Sequence, residues 1–361
     1  MVPLMRVPQN FCVAIVNTNP SARATLQDVA REAGVGLATV DRVLNQRPGV
    51  RERTRSRVVD AAQRLKYRPD PAAARLAQQR PHRVGVVLPS GSNSFVAMLR
   101  RQVDENRLWM DDHRMRGQVR EVDVFEPAAL ARCLHALKPG CDTVILMALD
   151  HPLVRAAIDD LVDAGRCVIT LVSDVPSSRR QHFVGIDNIA AGRTAATLLG
   201  RFVRARRGTV GVVVGSLALR DHAERCAGFG QVMAADHPRL ALLPVIEGKD
   251  DSALTEGLVA RLLAEQADLA GLYSVGGGNR GIGAALRASG RAKNVVFIAH
   301  ELTPAARAYL QDGTLDAVIS QDAGREMRSA LRLADAHSRR QPMDGSHERI
   351  RIDIHLKDNL P

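Results

Sequence analysis

The residue pattern most suggestive of chemistry is a glycine-rich segment that runs from Gly276 to Gly281 and reads GGGNRG. It fits G-x-G-x-x-G, follows the apolar run 269–275 and opens a helical stretch, which is the setting of a dinucleotide-binding loop. Glu301 follows roughly 20–25 residues later, where an acid would bind a ribose hydroxyl. These residues alone predict an NAD(H) site. Such loops, however, usually follow the first strand of their domain, and this one lies late in the chain.

No catalytic group accompanies this loop. The eleven histidines are scattered, no G-x-S-x-G motif occurs, and no nucleophile can be placed beside His300 and Glu301. The five cysteines stand singly, without a C-x-x-C pair, which argues against a disulfide framework or a zinc site and fits a reducing cytosol. We therefore expect no catalytic residues, no metal and no cofactor, and we do not expect an enzyme.

The elements that must position such residues alternate between strand and helix after position 83. This alternation predicts parallel sheets covered by helices, and there are too many strands for one sheet, so two α/β lobes are expected. Ligands of such lobes bind beyond the carboxyl ends of the strands, in the cleft between them. A further alternation of Ile350, Ile352 and Ile354 closes the chain. The predicted strands are 84–88, 119–125, 143–147, 167–172, 210–214, 269–275, 295–299 and 317–320.

The charge of the chain is concentrated near its start. Of 361 residues, 50 are Lys or Arg and 39 are Asp or Glu, a formal net charge of +11. Residues 21–83 hold 14 of the basic and only six of the acidic residues, so most of the excess lies there. A compact basic module on a nearly neutral body indicates a polyanion binder. No apolar run reaches the roughly 18–20 residues of a membrane span.

Three short amphipathic helices are predicted within this basic segment. The first begins behind Thr25, Gly34 ends it, and the second follows after a three- to four-residue break. A third helix contains Val58 and Leu65 on its inner face. This spacing is typical of a helix-turn-helix DNA-binding module.

The same segment resembles the head of the LacI/GalR (lactose-repressor) family of bacterial transcription regulators. The matches, in order, are T-L-x-D-V-A-x-x-A-G-V, T-V-x-R-V-L-N, V-R-x-x-T and A-A-x-x-L-x-Y-x-P. Arg42 can bind guanine or phosphate and Leu37 can pack on a thymine methyl, while Gly36 and Asp41 replace serines usual in the family. The residues expected to contact DNA at the second helix and the phosphates around it are Thr25, Leu37, Ala38, Thr39, Arg42 and Asn45.

Residues 70–77 (DPAAARLA) resemble the hinge helix of that family, which implies that Leu76 wedges into a minor-groove step. The alternative is an Ala-rich linker in which Leu76 merely packs.

The predicted division of the chain has four parts: a disordered extension at 1–21, a helix-turn-helix head at 22–69, a hinge helix and linker at 70–82, and a two-lobed effector and dimerisation domain at 83–361. Crossings between lobes are expected near 186, 321 and 341.

The body resembles the effector domain of the family, which is similar to periplasmic sugar-binding proteins. The motifs on which this resemblance rests are V-G-I-D-N with A-G-R at 184–193, R-C-A-G-F at 225–229 and the ending N-L-P. Asn279 and Glu301 stand where relatives usually carry Asn-Asp and Asp, which sets this site apart from the usual monosaccharide site. The resemblance implies ligand contacts from Asn93, Phe95, Asp150, Ser173, Asp174, Arg225, Asn279, Glu301 and Gln321.

These observations favour one function over two alternatives. We expect a helix-turn-helix head and a periplasmic-binding-protein-like α/β core, acting as a cytoplasmic homodimeric repressor. Its partners are pseudo-palindromic operator DNA and a small effector, a sugar, a polyol or a related compound. One alternative is an NAD(H)-sensing regulator or dehydrogenase that uses the loop from Gly276 to Gly281 and Glu301. The other is a sugar transport component, which would need a signal peptide and should lack the basic head.

Overall fold

The computed structural model describes residues 24–44, 48–67, 80–205, 207–342 and 349–361. The predicted extension, Asn45, Leu76 and most of the predicted hinge segment lie outside these residues. The chain divides into two compact units, one up to Gln79 and one from Arg80 onward. Within the described ranges, no helix is long and apolar enough to cross a membrane.

The described part of the first unit contains three helices around a small apolar core. Thr25 begins the first helix with a capping box: its hydroxyl accepts from the Asp28 amide, and the Asp28 carboxylate accepts from the Thr25 amide. Gly34 ends that helix at φ +60°, a conformation that glycine adopts without strain. The helices are α1 (Leu26–Ala33), α2 (Leu37–Leu44) and α3 (Glu52–Arg64). The buried core consists of Val29, Ala30, Ala33, Val40, Val43, Val58 and Ala61.

The second unit begins with a lobe built on a five-stranded parallel sheet of order β2-β1-β3-β4-β5. Its central strands are continuous buried aliphatic runs, because helices cover both faces of the sheet. Two helices of this lobe have a proline in their first turn. The proline ring fixes φ there, and its missing N–H costs nothing because an N–H in the first turn has no partner within the helix. The elements are β1 (His82–Pro89), α4 (Ser94–Glu105), α5 (Arg107–Asp112), β2 (Met115–Val122), α6 (Pro127–Leu137), β3 (Thr143–Leu146), α7 (Pro152–Asp163), β4 (Cys167–Leu171) and β5 (His182–Val184).

The second lobe is built on a sheet of order β12-β11-β10-β9-β6-β7, with β8 also beside β6. All its described pairs are parallel except β11 with β12. The elements are α8 (Asn188–Phe202), β6 (Gly208–Val214), α9 (Arg220–Asp236), β7 (Leu240–Leu242), β8 (Ile246–Glu247), α10 (Ser252–Glu265), β9 (Leu269–Ser274), α11 (Asn279–Ala288), β10 (Val296–His300), α12 (Pro304–Asp312), β11 (Ala317–Gln321) and β12 (Ile352–His355).

The chain passes between the lobes more than once. It leaves the first sheet after β5 and enters the second lobe through α8. After β11 it returns as α13 (Ala323–Ser338), which packs on α4, β4 and β5 of the first lobe. It then ends beside β11 as β12. The predicted fold class, a helical head followed by two parallel α/β lobes, is confirmed.

One strand lies earlier than the sequence predicts. The prediction of a strand at 119–125 is wrong at both ends, since β2 covers Met115–Val122. Most residues of β2 are exposed or half-buried because it is the edge strand of the sheet, so hydropathy marks its bounds poorly.

Candidate functional site

A polar cleft lies between the two lobes of the second unit. It is formed by loops that follow the carboxyl ends of β1, β9, β10 and β11, as expected for parallel α/β sheets. Its empty volume is about 600 Å³, with the opening to solvent included. Six of the nine predicted ligand contacts line this cleft: Asn93, Phe95, Arg225, Asn279, Glu301 and Gln321.

A hydrogen bond crosses the mouth of the cleft from one lobe to the other. Asn93 caps α4 by accepting from the Phe95 and Val96 amides with its side-chain oxygen. Its Nδ2 donates to Oδ2 of Asp250 in the second lobe over 2.9 Å. The other carboxylate oxygen of Asp250 accepts from the Gly277 amide, also at 2.9 Å. The lobes are thus held in contact through two side chains whose other polar atoms are fixed by their own lobes.

Arg225 is held at the inner end of the cleft by the α8–α9 helix pair. Asp187 caps α8 and places Asn188, whose Oδ1 accepts from Nε of Arg225 at 2.8 Å. One Nη of Arg225 donates to the Val275 carbonyl at 2.8 Å, and the other has no partner among the described residues. The side chain is only 2% exposed. An orphaned guanidinium N–H in a buried position is a strong donor for a ligand.

The glycines of the two body motifs explain how these helices approach each other. A Cβ on Gly192 would lie 2.8 Å from the carbonyl carbon of Arg225 and nearer still to its oxygen. A Cβ on Gly228 would lie 3.0 Å from the carbonyl carbon of Ile189. The motifs A-G-R and R-x-x-G-F therefore form a close helix crossing that sets the position of Arg225.

Glu301 and Gln321 face each other at the ends of adjacent strands. Nε2 of Gln321 donates to Oε1 of Glu301 over 2.8 Å. Glu301 adopts a left-handed backbone at φ +69°, which is uncommon for a residue with a side chain and often marks a functional site. Burial raises the pKa of Glu301 to about 7, although Arg225 and Gln321 act to lower it. The carboxyl group therefore changes charge near neutral pH.

Asn279 is oriented by the backbone of the neighbouring strand. Its Nδ2 donates to the carbonyl of His300 over 2.7 Å, so its oxygen is the free end of the amide. That oxygen is buried and has no partner in the described part of the chain. Asn279 therefore presents an acceptor to the cleft.

The glycine-rich loop has a structural role that accounts for its glycines. A Cβ on Gly276 would meet the His222 ring, and a Cβ on Gly281 would lie 2.8 Å from the Glu256 amide of α10. Gly278 has φ +95°. The Gly277 amide, which would bind pyrophosphate in a dinucleotide site, already donates to Asp250. A carboxylate at this position repels phosphate, so the geometry favours the effector interpretation over the NAD(H) alternative.

Three predicted ligand contacts are not brought into the cleft lining. Asp150 accepts from Arg155 at 2.6 Å, and Asp174 accepts from Arg180 at 2.6 Å. Ser173, which precedes Asp174 in sequence, is fully buried. Both carboxylates are thus engaged by arginines of their own lobe, which sequence alone did not reveal.

Among the cleft residues that the sequence did not predict, three carry acidic or histidine side chains: Asp221, His222 and Asp250. Asp221 and Arg225 are separated by four positions on α9 and so share a helix face. This spacing is the feature of the sequence that could have indicated Asp221. Asp250 follows the two-residue strand β8, which has no detectable pattern. Within the described ranges, no three His, Cys, Asp or Glu side chains gather to hold a metal ion.

The head presents one helix face to solvent. Leu37, Ala38 and Arg42 of α2 are exposed, whereas Thr39 is half-buried and Val40 is buried against the core. Arg57 of α3 donates to the carbonyl of Ala33, which fixes α3 on the turn that precedes α2. The exposed residues are those predicted to read the major groove. Their base contacts stay a prediction, as do those of Thr25, whose hydroxyl already pairs with Asp28.

Two family models match the chain. One, described as bacterial regulatory proteins, lacI family, matches residues 25–70. The other, described as a periplasmic binding protein domain, matches residues 84–342, well over half of the chain.

Curated relatives are similar over a limited stretch. Catabolite control protein A of Priestia megaterium is 46% identical over 81 residues, which are 22% of this chain and 24% of that protein. Catabolite control protein A of Streptococcus mutans is 42% identical over 87 residues, 24% of this chain and 26% of that protein. The match spans about a quarter of the length of these relatives.

Solved structures are similar over most of the second unit. GanP, a glucose-galactose binding protein from Geobacillus stearothermophilus, has a TM-score of 0.70 at 18% identity and covers 78% of this chain and 99% of its own. An ABC transporter solute binding protein from Burkholderia graminis, in complex with D-arabinose, has a TM-score of 0.71 at 20% identity and covers 78% and 96%. At such identities the likeness shows the fold alone. The family matches establish more: the chain belongs to the lacI family of bacterial regulatory proteins and joins a head of that family to a periplasmic binding protein domain.

Proposed function

We propose that the protein is a transcriptional repressor whose affinity for operator DNA is controlled by a small polyhydroxy metabolite bound in the cleft. The observation that carries this proposal is the presence, in one chain, of a lacI-family head with an exposed α2 face and a polar inter-lobe cleft. Neither part alone supports it: a cleft without the head fits a transport protein, and a head without the cleft has no sensor.

On the DNA side, we assign base contacts to Leu37, Ala38 and Arg42 and phosphate contacts to Thr25, Thr39 and Asn45. Arg42 is exposed and pairs with no carboxylate of the described residues, so its guanidinium is free for a guanine or a phosphate. We assign to Leu76 the minor-groove wedge. Two heads on a pseudo-palindromic operator require a homodimer, because half-site symmetry mirrors protein symmetry.

On the effector side, we assign ligand contacts to the six predicted residues in the cleft and to Asp221. Their orphaned buried atoms are acceptors and donors for hydroxyl groups. The Asn93–Asp250 hydrogen bond gives the two lobes a closed arrangement that a ligand stabilises or opens. Ligand and DNA affinities are then reciprocally coupled.

We retain the proposed division into an extension (1–21), a head (22–69), a hinge and linker (70–82) and a two-lobed domain (83–361). Because the partner is chromosomal DNA, we place the action of the protein in the cytoplasm. No catalytic step is needed for this function.

The test is selection of binding sites from random duplex DNA by the full-length protein, followed by fluorescence anisotropy on the selected site. We expect a pseudo-palindromic site, and we expect Arg42→Ala to weaken its binding about 5- to 150-fold, the value of one bidentate base contact. Arg201→Ala, an exposed arginine of α8, is the control and leaves the affinity unchanged. Failure to enrich any site, or an Arg42→Ala variant with full affinity, contradicts the proposal.

A second arm addresses the dinucleotide alternative. Because Asp250 occupies the loop amide, NADH titrated into the protein and followed by Trp109 fluorescence should show no tight binding. Micromolar NADH binding that is lost in Glu301→Ala would favour the NAD(H)-sensing function instead.

A further inference from the structure

The inner end of the cleft contains buried ionisable side chains of both signs, and Glu326 of α13, outside the lining, belongs to the same electrostatic environment. Asp221 is 2% exposed, Glu301 is 5% exposed and Glu326 of α13 is fully buried. The pKa values of Glu301 and Glu326 are both affected by the field of Arg225, and Glu326 also by Glu301 and Asp221, so the four groups form one electrostatic cluster. Within the lining of the cleft, Arg225 and Arg280 stand against Asp221, Asp250 and Glu301, and His222 lies beside Asp221. Burial raises the pKa of both Glu301 and Glu326, so protonation relieves their buried charge, and the unpartnered Oδ1 of Asp221 is left in need of a donor.

The hydrogen-bonding atoms that line the cleft without partners are mostly acceptors. Oδ1 of Asp221, Oδ1 of Asn279 and Oε1 of Gln321 have no partner among the described residues. The orientation of the two amide groups is fixed, because Nδ2 of Asn279 donates to a carbonyl and Nε2 of Gln321 donates to a carboxylate. Against these three acceptors stands a single orphaned donor, an Nη of Arg225. The cleft therefore favours a ligand rich in donors.

We propose that the effector carries a protonated amino group as well as hydroxyls, so that amino sugars or related amino polyols bind in preference to neutral sugars and sugar acids. The proposal rests on the proposed function and names the chemical class of its effector. An ammonium group brings three donors and no acceptor. Its positive charge complements Asp221 and Glu301, and charge-assisted hydrogen bonds are about twice as strong as neutral ones.

Two other ligand classes fit the cleft less well. A neutral hydroxyl donates one hydrogen bond and brings no positive charge to Asp221. Of the two arginines that line the cleft, Arg280 is exposed and Arg225 offers an anion one free Nη, because the other polar atoms of the Arg225 side chain are engaged by Asn188 and Val275. Such an anion would also lie in the field of the buried carboxyl groups, which repels it.

The experiment compares matched ligands on the wild-type protein by isothermal titration calorimetry. D-glucose, D-galactose and D-mannose are each compared with the 2-amino-2-deoxy sugar, its N-acetyl derivative and a sugar acid. The N-acetyl derivative keeps the nitrogen but removes its charge. We expect at least one amino sugar to bind about tenfold or more tightly than its neutral parent and its N-acetyl form, which is the value of one added charge-assisted contact.

A pair of isosteric variants assigns the preference to the cleft. Asp221→Asn removes the buried charge and with it roughly one charge-assisted contact. The affinity for the amino sugar should then differ from the affinity for its neutral parent by no more than about threefold. Asp236→Asn changes an exposed carboxylate on the same helix and should keep the full ratio. A preference that survives in Asp221→Asn overturns the assignment.

Further outcomes separate this inference from the proposed function. A neutral sugar or sugar acid that binds as tightly as the amino sugar and releases the selected DNA overturns the amino-group inference alone. Binding of no member of the panel also overturns it. Loss of the proposed function is seen independently, as failure of the ligand-free protein to select DNA.

Discussion

Replacement of Gly192 by alanine tests whether the close α8–α9 crossing holds the cleft together. A Cβ at this position would lie 2.8 Å from the carbonyl carbon of Arg225 and 2.9 Å from its Cα. Carbon atoms in contact prefer about 3.5–4.0 Å, so the two helices must separate by several tenths of an ångström or more. Both neighbouring atoms belong to the backbone of α9, so no side chain can rotate away to make room.

The expected cost follows from two opposing contributions. Overpacking of this kind costs about 1–3 kcal/mol, whereas alanine for glycine inside a helix gains about 1 kcal/mol. We therefore expect Gly192→Ala to lose up to about 2 kcal/mol of stability. Gly230→Ala is the matched control, because it lies on α9 with nothing within 4 Å of its added Cβ. It should gain about 1 kcal/mol from helix propensity alone.

Thermal unfolding of the full-length protein followed by circular dichroism measures both. A change of 1 kcal/mol corresponds to roughly 2–4 °C for a domain of this size, so the two variants should shift the melting temperature in opposite directions. Because Arg225 moves with α9, Gly192→Ala should also weaken effector binding, while Gly230→Ala should not. A Gly192→Ala protein as stable as Gly230→Ala would refute the account of this crossing.

Three further predictions concern the head, the pH dependence and the closed cleft. Gly36→Ser should stabilise the head by a few tenths of a kcal/mol, because Gly36 precedes α2 with free space around it and serine is a better N-cap. Gly34→Ser, at φ +60° and against Arg57, should instead destabilise the head, and amide exchange in α1–α3 measures both. Burial raises the pKa of Glu301 from an ordinary 4.5 to about 7, so the folded protein retains a proton that the unfolded chain loses as pH rises between these values. Stability should accordingly fall from pH 4.5 to 7, by up to about 3 kcal/mol, and Glu301→Gln should remove that part of the slope in urea titrations; an unchanged slope contradicts the assignment. Asn93→Asp should open the lobes, because it replaces the donor to Asp250 with a like charge. Small-angle scattering should then show a larger radius of gyration, and an unchanged radius would show that this bond does not hold the cleft.

The fold was largely predictable because its strands are long buried runs. Strands such as β4 and β9 are buried throughout and mostly apolar, since helices cover both faces, and such runs are visible in hydropathy. The three-residue strand β5 was not predicted, because it is too short to show a period and gains its place by pairing with β4. The helices of the head were predictable from Thr25, which caps the first helix, and from Gly34, which ends it. Both act on backbone groups a few residues away, so their effect can be read from the local sequence.

The cleft was predictable only where the residue follows a recognisable strand. Asn279, Glu301 and Gln321 stand at or just beyond the carboxyl ends of β9, β10 and β11, so their convergence follows from parallel topology. Asp250 is positioned instead by a hydrogen bond from Gly277, and Asp174 is withdrawn by Arg180. The first depends on a contact between residues distant in sequence and the second on a competing ion pair, and spacing along the chain encodes neither.

The placement of α13 has a consequence for how the protein is made. This helix comes from near the end of the chain, yet its residues Met327, Leu331 and Ala334 belong to the same core as Leu99 and Ile169 of the first lobe. The first lobe therefore cannot complete its core until the ribosome has synthesised the chain as far as α13. The residues of the first lobe that precede α13 leave the ribosome earlier, and until α13 follows, the apolar surface that it covers is exposed. Such a state is prone to aggregation. We expect the nascent chain to need chaperone protection over that interval, and neither lobe to be obtainable as one uninterrupted fragment.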